Sequence, residues 1–307
     1  MFTDYDVIII GSGCAGLAAG IYTSRAGFST LIMEKETVGG ELMNRQLIEN
    51  YPGFAAGIQG PDLGSAMLEQ ASSFGVDIES ADVIGIVARN GFKTVKTSSV
   101  TRTCKAIAIA TGSKPRKLQV PGEEELSNKG VFYCATCDGP QLAGKAVVVA
   151  GAGDSGITEA LHLVKLGCKV TVVEVLPVPK ASKVLLDRAE ANPDIEIRCS
   201  VKITAITGEE WVTAVEIEGV ASGANSSLNT AGVLVRIGLI PNTSFLSELI
   251  ALGPSGQIPV NENMETAIPG IVAAGDIRQY SPVQIATAVG DGVTAAMSLG
   301  RYLASLA

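Results

Sequence analysis

Two thiols two residues apart, Cys134 and Cys137, with a carboxyl directly behind them at Asp138, are the side chains of this 307-residue chain best suited to chemistry. Such a pair can close a small disulfide ring and open it again at little cost in strain, which makes it a two-electron switch. The same spacing also serves as half of a zinc site, which normally takes four Cys or His ligands. The sequence has no second Cys-x-x-Cys, and its single histidine, His162, sits in a different motif. Redox chemistry is the better reading of the pair.

A dithiol needs a source of electrons, and glycine-rich stretches lie on both sides of it. Tyr5 to Ile10 is a β-branched apolar run suited to a strand buried on both faces, and Gly11-Ser12-Gly13-Cys-Ala-Gly16 follows at once. Leu17 to Ala26 has helical composition, and a second strand, Thr30 to Met33, ends on Glu34. Strand, glycine turn and helix bring backbone N–H groups and the positive end of a helix dipole to a pyrophosphate, while Glu34 is placed to accept hydrogen bonds from ribose hydroxyls. The plan recurs after the dithiol. Ala146 to Ala150 opens on Gly151-Ala-Gly153-Asp-Ser-Gly156, and a following strand, Val170 to Val173, ends on Glu174. From Gly11 to Glu34 and from Gly151 to Glu174 the spacing is 23 positions in both cases, so the chain carries two copies of one nucleotide-binding plan. A doubly wound sheet with an empty second crevice is the bland alternative for the second copy.

The remaining elements are expected to position these turns. Pro61 to Phe74 reads as a helix, Lys105 to Ala110 as a buried strand running into Thr111-Gly112, and Gln284 to Ser298 as a small-residue helix able to approach a flat cofactor. Ile268 to Ala274 is a strand that turns at Gly275-Asp276, where a helix cap is the ordinary explanation for the acid. His162, on the helix expected from Ile157 to Leu166, reads as a packing residue.

Length suits two domains, and an apolar share of 47% against 18% charged is the profile of a compact α/β protein. The net charge of -8 and the lack of Lys/Arg clusters argue against a nucleic-acid partner. Apolar runs of strand length fall short of the ~20 residues a membrane span needs, and the acidic start lacks the basic flank of a secretory peptide. These features, with Cys14, Cys104, Cys168 and Cys199 scattered as isolated thiols, suit a cytoplasmic protein.

Gly11-x-Gly13-x-x-Gly16, Glu34, Glu49-Asn50-Tyr51-Pro52-Gly53, Ala110-Thr111-Gly112, Cys134-Ala-Thr-Cys137-Asp138, Gly151-x-Gly153-x-x-Gly156 and Gly275-Asp276 occur in one order. That order resembles the low-molecular-weight thioredoxin reductase family over about Tyr5 to Leu303. The resemblance implies a homodimeric flavoprotein disulfide reductase built from two Rossmann-like three-layer α/β domains. Residues 1–116 and 242–307 would form a split FAD domain, and 117–241 an inserted pyridine-nucleotide-type domain carrying the dithiol. It implies that Gly11, Ser12, Gly13, Gly16, Glu34, Asn50, Thr111, Gly112, Gly275, Asp276, Gln284 and Ile285 surround FAD, with Asn50, Gln284 and Ile285 near the isoalloxazine and Asp276 on the ribityl chain. It also implies that Cys137 faces the flavin, that Cys134 attacks the disulfide of thioredoxin or a thioredoxin-like protein, and that Asp138 handles the proton.

The pattern departs from the family at the second fingerprint. NADPH-using members carry a His-Arg-Arg-like cluster after the second strand, because a 2′-phosphate needs cationic partners. Here the stretch reads Glu174-Val-Leu-Pro-Val-Pro-Lys180-Ala-Ser182, and Gly156 stands where alanine is usual. Val283 also replaces a common arginine. Gly151, Gly153, Gly156 and Glu174 are therefore expected to hold NADH, a second FAD, or nothing, with reduced ferredoxin as the donor in the last case; NADPH is disfavoured. Two rival functions share these residues: reduction of another disulfide substrate, and a non-catalytic flavin redox sensor.

Overall fold

The computed structural model describes residues 3–45, 47–89, 91–135 and 139–306. The chain divides into two compact units, Met1–Lys114 with Ile240–Ala307, and Pro115–Leu239.

The first unit is built on Tyr5–Ile10, whose alternation sends Val7 and Ile9 to one face of a sheet and Ile8 and Ile10 to the other. Both faces are covered, so the strand is apolar throughout. It pairs in parallel with Thr30–Glu34 on one side and Thr101–Ile109 on the other. Asp77–Ser80 extends the first side, while Ile271–Ala273 pairs in parallel with Thr101–Ile109. The edge beyond is an antiparallel meander of Val83–Arg89 and Phe92–Thr97. Helices Cys14–Arg25, Gly60–Ser73 and Ile285–Ala304 cover the Val7 face, and Leu246, Ile250, Ile258 and Ile277 pack on the Ile8 face. The carboxyl-terminal helix runs six residues beyond the Ser298 expected from sequence, because Leu299 and Leu303 keep its apolar face buried.

The second unit repeats the arrangement. A parallel sheet has the order Val131–Phe132, Gly232–Val235, Ala146–Ala150, Lys169–Glu174, Ile195–Cys199. Val147, Val149, Val170 and Val172 face the helix Asp154–Lys165, while Val148, Ala150 and Val173 face a three-stranded antiparallel meander, Val201–Gly208, Val212–Gly219 and Asn225–Asn229. Each unit is thus a sheet between two layers, and in each the glycine turn leaves the carboxyl end of a central strand, where open α/β sheets bind ligands.

Candidate functional site

The first fingerprint is a turn that glycine alone permits. Gly11 has φ +99°, and a Cβ added there would meet the Ala110 carbonyl oxygen at 2.4 Å. A Cβ on Gly16 would lie 1.9 Å from the Gly11 oxygen, so the helix start rests directly on the turn. Nothing lies within 4 Å of the corresponding point at Gly13. Gly13 is the extended residue before the helix, no side chain caps that end, and the first turn carries no acid. The terminus is left with N–H donors and a positive dipole end, which suits an anionic group. Glu34 fixes the floor of the turn: one carboxylate oxygen accepts from the Ser12 N–H at 2.8 Å and the Ser12 hydroxyl at 2.6 Å, and the other from the Glu36 N–H at 2.9 Å.

Other expected residues come to the same turn from distant parts of the first unit. A Cβ on Gly275, φ +84°, would lie 3.1 Å from that of Ala15. At Gly292 of the carboxyl-terminal helix it would lie 2.2 Å from the Ala15 carbonyl oxygen, so these segments close tightly around the fingerprint helix. The Asn50 amide donates to the Gln284 side-chain oxygen at 3.0 Å, and Ile285 begins the helix. The Thr111 hydroxyl donates to the Asn242 carbonyl at 2.8 Å, the Asn242 amide returns a bond to the Thr111 carbonyl at 2.9 Å, and its N–H reaches the Gly112 carbonyl at 3.0 Å. Asp276 is not a helix cap, contrary to the ordinary expectation: the next helix starts at Ile285, with Gln284 at its N-terminal boundary. Burial pushes the Asp276 carboxyl up from its ordinary value, opposed by Arg45 and reinforced by Glu41 and Asp291. Burial likewise holds the Cys14 thiol at about 12, leaving it inert.

Sequence reasoning missed the brace beneath this turn. Arg278 reaches Asp291 through two hydrogen bonds, 2.5 and 3.0 Å, and Asp291 also accepts from the Gly275 N–H at 3.2 Å. The signal was present in outline: Asp291 is the one charged residue of an otherwise apolar and small-residue stretch from Ile285 to Leu299.

The second fingerprint repeats the backbone geometry of the first, without the hydroxyl bond because Ala152 stands where Ser12 does. Gly151 has φ +103° with the Arg236 carbonyl oxygen 2.3 Å from an added Cβ, Gly156 would meet the Gly151 oxygen at 1.9 Å, and the space at Gly153 is open. Glu174 accepts from the Ala152 N–H at 2.8 Å and from the Leu176 N–H at 3.0 Å, as Glu34 does from Ser12 and Glu36. Here, however, the first helical turn carries Asp154, which accepts from the Ser182 N–H at 2.6 Å, and the Ala152 carbonyl accepts from Lys180 and Ala181. Two carboxylates therefore flank this turn. The tight approach at Gly156 also gives a test: Gly156→Ala should cost about 1–3 kcal/mol despite alanine's better helix propensity, because the colliding atom is backbone. Thermal denaturation of the variant measures it.

Cys134 is disulfide-bonded, whereas Cys14, Cys104, Cys168 and Cys199 are free thiols. Cys137 and Asp138 lie outside the described residues. The chain on either side of Cys134 is tied to buried carboxylates. The Tyr133 hydroxyl donates at 2.8 Å to Glu123, which also accepts from the Leu118 and Gln119 N–H groups. The Ala135 N–H donates at 3.0 Å to Glu159, whose other oxygen pairs with Arg236. His162, expected to pack, has its Nε2 buried with no hydrogen-bond partner among the described residues. Burial holds its pKa below 6.5. The neutral ring therefore contributes its full share of stability above pH 6.5 and loses it as pH falls through the lowered folded value. Between pH 7 and about 5 the melting temperature of the parent protein should fall more than that of His162→Leu.

Among the described residues no helix is long and apolar enough to cross a membrane, and no group of three or more His, Cys, Asp or Glu could hold a metal ion. The family described as pyridine nucleotide-disulphide oxidoreductase matches residues 5–292. A thioredoxin reductase of Listeria innocua is 41% identical over 303 residues, covering 98% of this chain and 95% of that protein. The crystal structure of Lactococcus lactis thioredoxin reductase superposes with a TM-score of 0.96 at 36% identity, over 98% of this chain and all of the other. That of T. acidophilum thioredoxin reductase gives 0.94 at 35% identity, over the full length of both. A matched strand–glycine–helix plan in both units, a disulfide at Cys134 and kinship along the whole length lead to one assignment: the chain belongs to the pyridine nucleotide-disulphide oxidoreductase family, within its low-molecular-weight thioredoxin reductase branch.

Proposed function

We propose that the protein is an FAD-dependent reductase of the disulfide in thioredoxin or a thioredoxin-like protein, acting through Cys134 and Cys137 and not driven by NADPH. The observation that carries the reading is the disulfide at Cys134, held by buried hydrogen bonds in the same unit as a complete dinucleotide turn.

The residues of the first unit fit an adenine dinucleotide of the flavin type. The Gly11–Gly16 turn offers open space at Gly13, free N–H donors and a dipole of the right sign for a pyrophosphate, and Glu34 offers carboxylate oxygens to ribose. Asp276, raised in pKa by burial and without a side-chain hydrogen bond among the described residues, suits a ribityl hydroxyl. Asn50, Thr111, Gly112, Gly275, Gln284 and Ile285 complete the set, and residues 1–116 with 242–307 would form the FAD-binding domain. When bound, FAD supplies a two-electron carrier.

The protein's own chemistry then follows. Reduction of the Cys134–Cys137 bridge takes two electrons and two protons and breaks the S–S bond. The Cys134 thiolate attacks one sulfur of the partner's disulfide, forming a mixed disulfide and releasing the other sulfur as a thiolate. Cys137 displaces the partner from Cys134, which restores the bridge and leaves a reduced dithiol on the partner. Asp138 takes or gives the proton at each exchange. We read the active form as a homodimer, in the cytoplasm, where the four free thiols would stay reduced.

Glu174 and Asp154 support the statement about the electron source. Glu174 at the ribose end suits free hydroxyls and opposes a 2′-phosphate, Asp154 adds a second negative charge at the start of the helix, and Gly156 gives the second turn the close geometry of the first. The second site would hold NADH or a second FAD, or stand empty while reduced ferredoxin supplies electrons. A cofactor census tests the whole reading: the purified protein should be yellow, with at least one FAD per chain. A colourless protein that FAD does not reconstitute would overturn it.

A further inference from the structure

The mechanism above leaves two buried charged groups of the second unit unused. Glu159 comes from the helix Asp154–Lys165 and Arg236 from the end of the strand Gly232–Val235; their side chains retain 9% and 7% exposure and pair with each other. A buried ion pair contributes little net stability, since desolvation of both groups offsets their attraction, so its presence calls for another reason. The carboxylate oxygen of Glu159 turned away from Arg236 supplies one. Its second oxygen accepts the Ala135 N–H at 3.0 Å, one residue beyond the disulfide-bonded Cys134.

Arg236 is itself fixed by the nucleotide turn. Its N–H donates to the Ala150 carbonyl at 2.8 Å, its carbonyl oxygen is what an added Cβ on Gly151 would meet at 2.3 Å, and its Cβ lies 3.7 Å from the corresponding point at Gly156. Its Nε is buried with no hydrogen-bond partner among the described residues, so Glu159 is the acceptor that the guanidinium depends on. The chain of contacts runs from the glycine turn through Arg236 and Glu159 to the backbone beside Cys134, entirely within one unit.

We propose that Glu159, held by Arg236, is a positioning residue for the redox disulfide: by accepting the Ala135 N–H it stabilises the loop in its oxidised form and thereby sets how readily the Cys134 bridge is reduced. The inference rests on Cys134 being the redox centre of the reading above. On this proposal, reduction of the bridge, by two electrons and two protons from a dithiothreitol or glutathione buffer, removes the S–S constraint on Cys134 and with it the preference for the geometry in which the neighbouring Ala135 N–H meets Glu159. Loss of the acceptor raises the energy of the oxidised loop relative to the reduced one. The expected effect is about tenfold in the dithiol/disulfide equilibrium, the scale of one hydrogen bond to a charged acceptor, or about 30 mV for a two-electron couple.

The experiment equilibrates the full-length protein, with its cofactor as isolated, in glutathione buffers of stepped potential, traps thiols by alkylation and quantifies the Cys134 peptide by mass spectrometry. Single substitutions leave one buried charge unpaired and are expected to destabilise or unfold the protein, so the test uses two double variants. Glu159→Ala with Arg236→Met removes both charges and the acceptor; it should fold and show the tenfold easier reduction. Glu159→Gln with Arg236→Met removes both charges but keeps an amide oxygen for the Ala135 N–H; it should return to within about twofold of the parent. An unchanged equilibrium in both, whatever their melting temperatures, or an equal shift in both, would overturn the proposal. Neither flavin reduction nor thioredoxin enters the readout, so failure of the thioredoxin assignment would leave this result interpretable, and the converse holds too.

Discussion

Cys134→Ser should lower the turnover of thioredoxin disulfide by about a thousandfold or more, the scale on which loss of a covalent nucleophile is felt. A serine hydroxyl is neither a thiolate at neutral pH nor able to form a disulfide, so both the storage of the electron pair and its delivery are lost together. Reduction of bound flavin by its donor should survive, because Cys134 lies in the second unit and the first fingerprint is built from the first. The fold should survive as well, since the substitution conserves size and the braces at Tyr133 and Ala135 use other atoms. The assay is steady-state turnover of thioredoxin alongside stopped-flow flavin reduction. Steady turnover by the serine variant would place the chemistry elsewhere and would revive the sensor reading, in which the thiols act as a switch without catalysing exchange.

NADPH should be the poorest of three donors. One oxygen of Glu174 accepts from the Ala152 N–H of the second turn and the other from the Leu176 N–H just beyond the strand, and Asp154 stands at the first turn of the following helix. Like unit charges about 4 Å apart repel by roughly 4 kcal/mol at an effective dielectric of 20, and a 2′-phosphate carries more than one charge. Solvent at the rim reduces that figure, which leaves an expected preference of about a hundredfold for NADH over NADPH if a nicotinamide is used at all. Between Glu174 and Ser182 the one basic residue of the sequence is Lys180, a single cation where a 2′-phosphate is ordinarily met by several. Flavin bleaching followed with NADPH, NADH and reduced ferredoxin separates the cases. Fast bleaching by NADPH at micromolar concentration would contradict the reading and require a cation to reach the phosphate from another part of the chain.

Much of this was legible in the amino-acid order because the decisive signals are local. A β-branched run, glycines at fixed offsets and an acid 23 positions on lie within one strand–turn–helix–strand unit, and hydrophobic alternation places the unit without knowledge of the rest of the chain. The repeat of that unit, and the two cysteines between the copies, define the fold class and the kind of chemistry on the same grounds. The carboxyl-terminal helix was expected from Gln284 to Ser298 as a small-residue stretch, but packing of Leu299 and Leu303 carries it to Ala304. Asp276 read as a cap because local sequence cannot distinguish a cap from an acid held in a turn by its neighbours.

Tertiary structure decided which side chains meet. Asn50 and Gln284 are 234 positions apart, Thr111 and Asn242 are 131 apart, and Glu159 and Arg236 are 77 apart. A hydrogen bond or ion pair across such distances leaves no period in the chain, since each partner is positioned by a different element and the pairing exists only once the sheet has assembled. The amino-acid order by itself determined the two glycine turns and the Cys-x-x-Cys spacing, because those depend on backbone freedom and on neighbours in sequence. The brace from Arg278 to Asp291 and the tie from Arg236 through Glu159 to the loop of Cys134 were decided by the fold, because burial alone brings those charges together and makes each need the other.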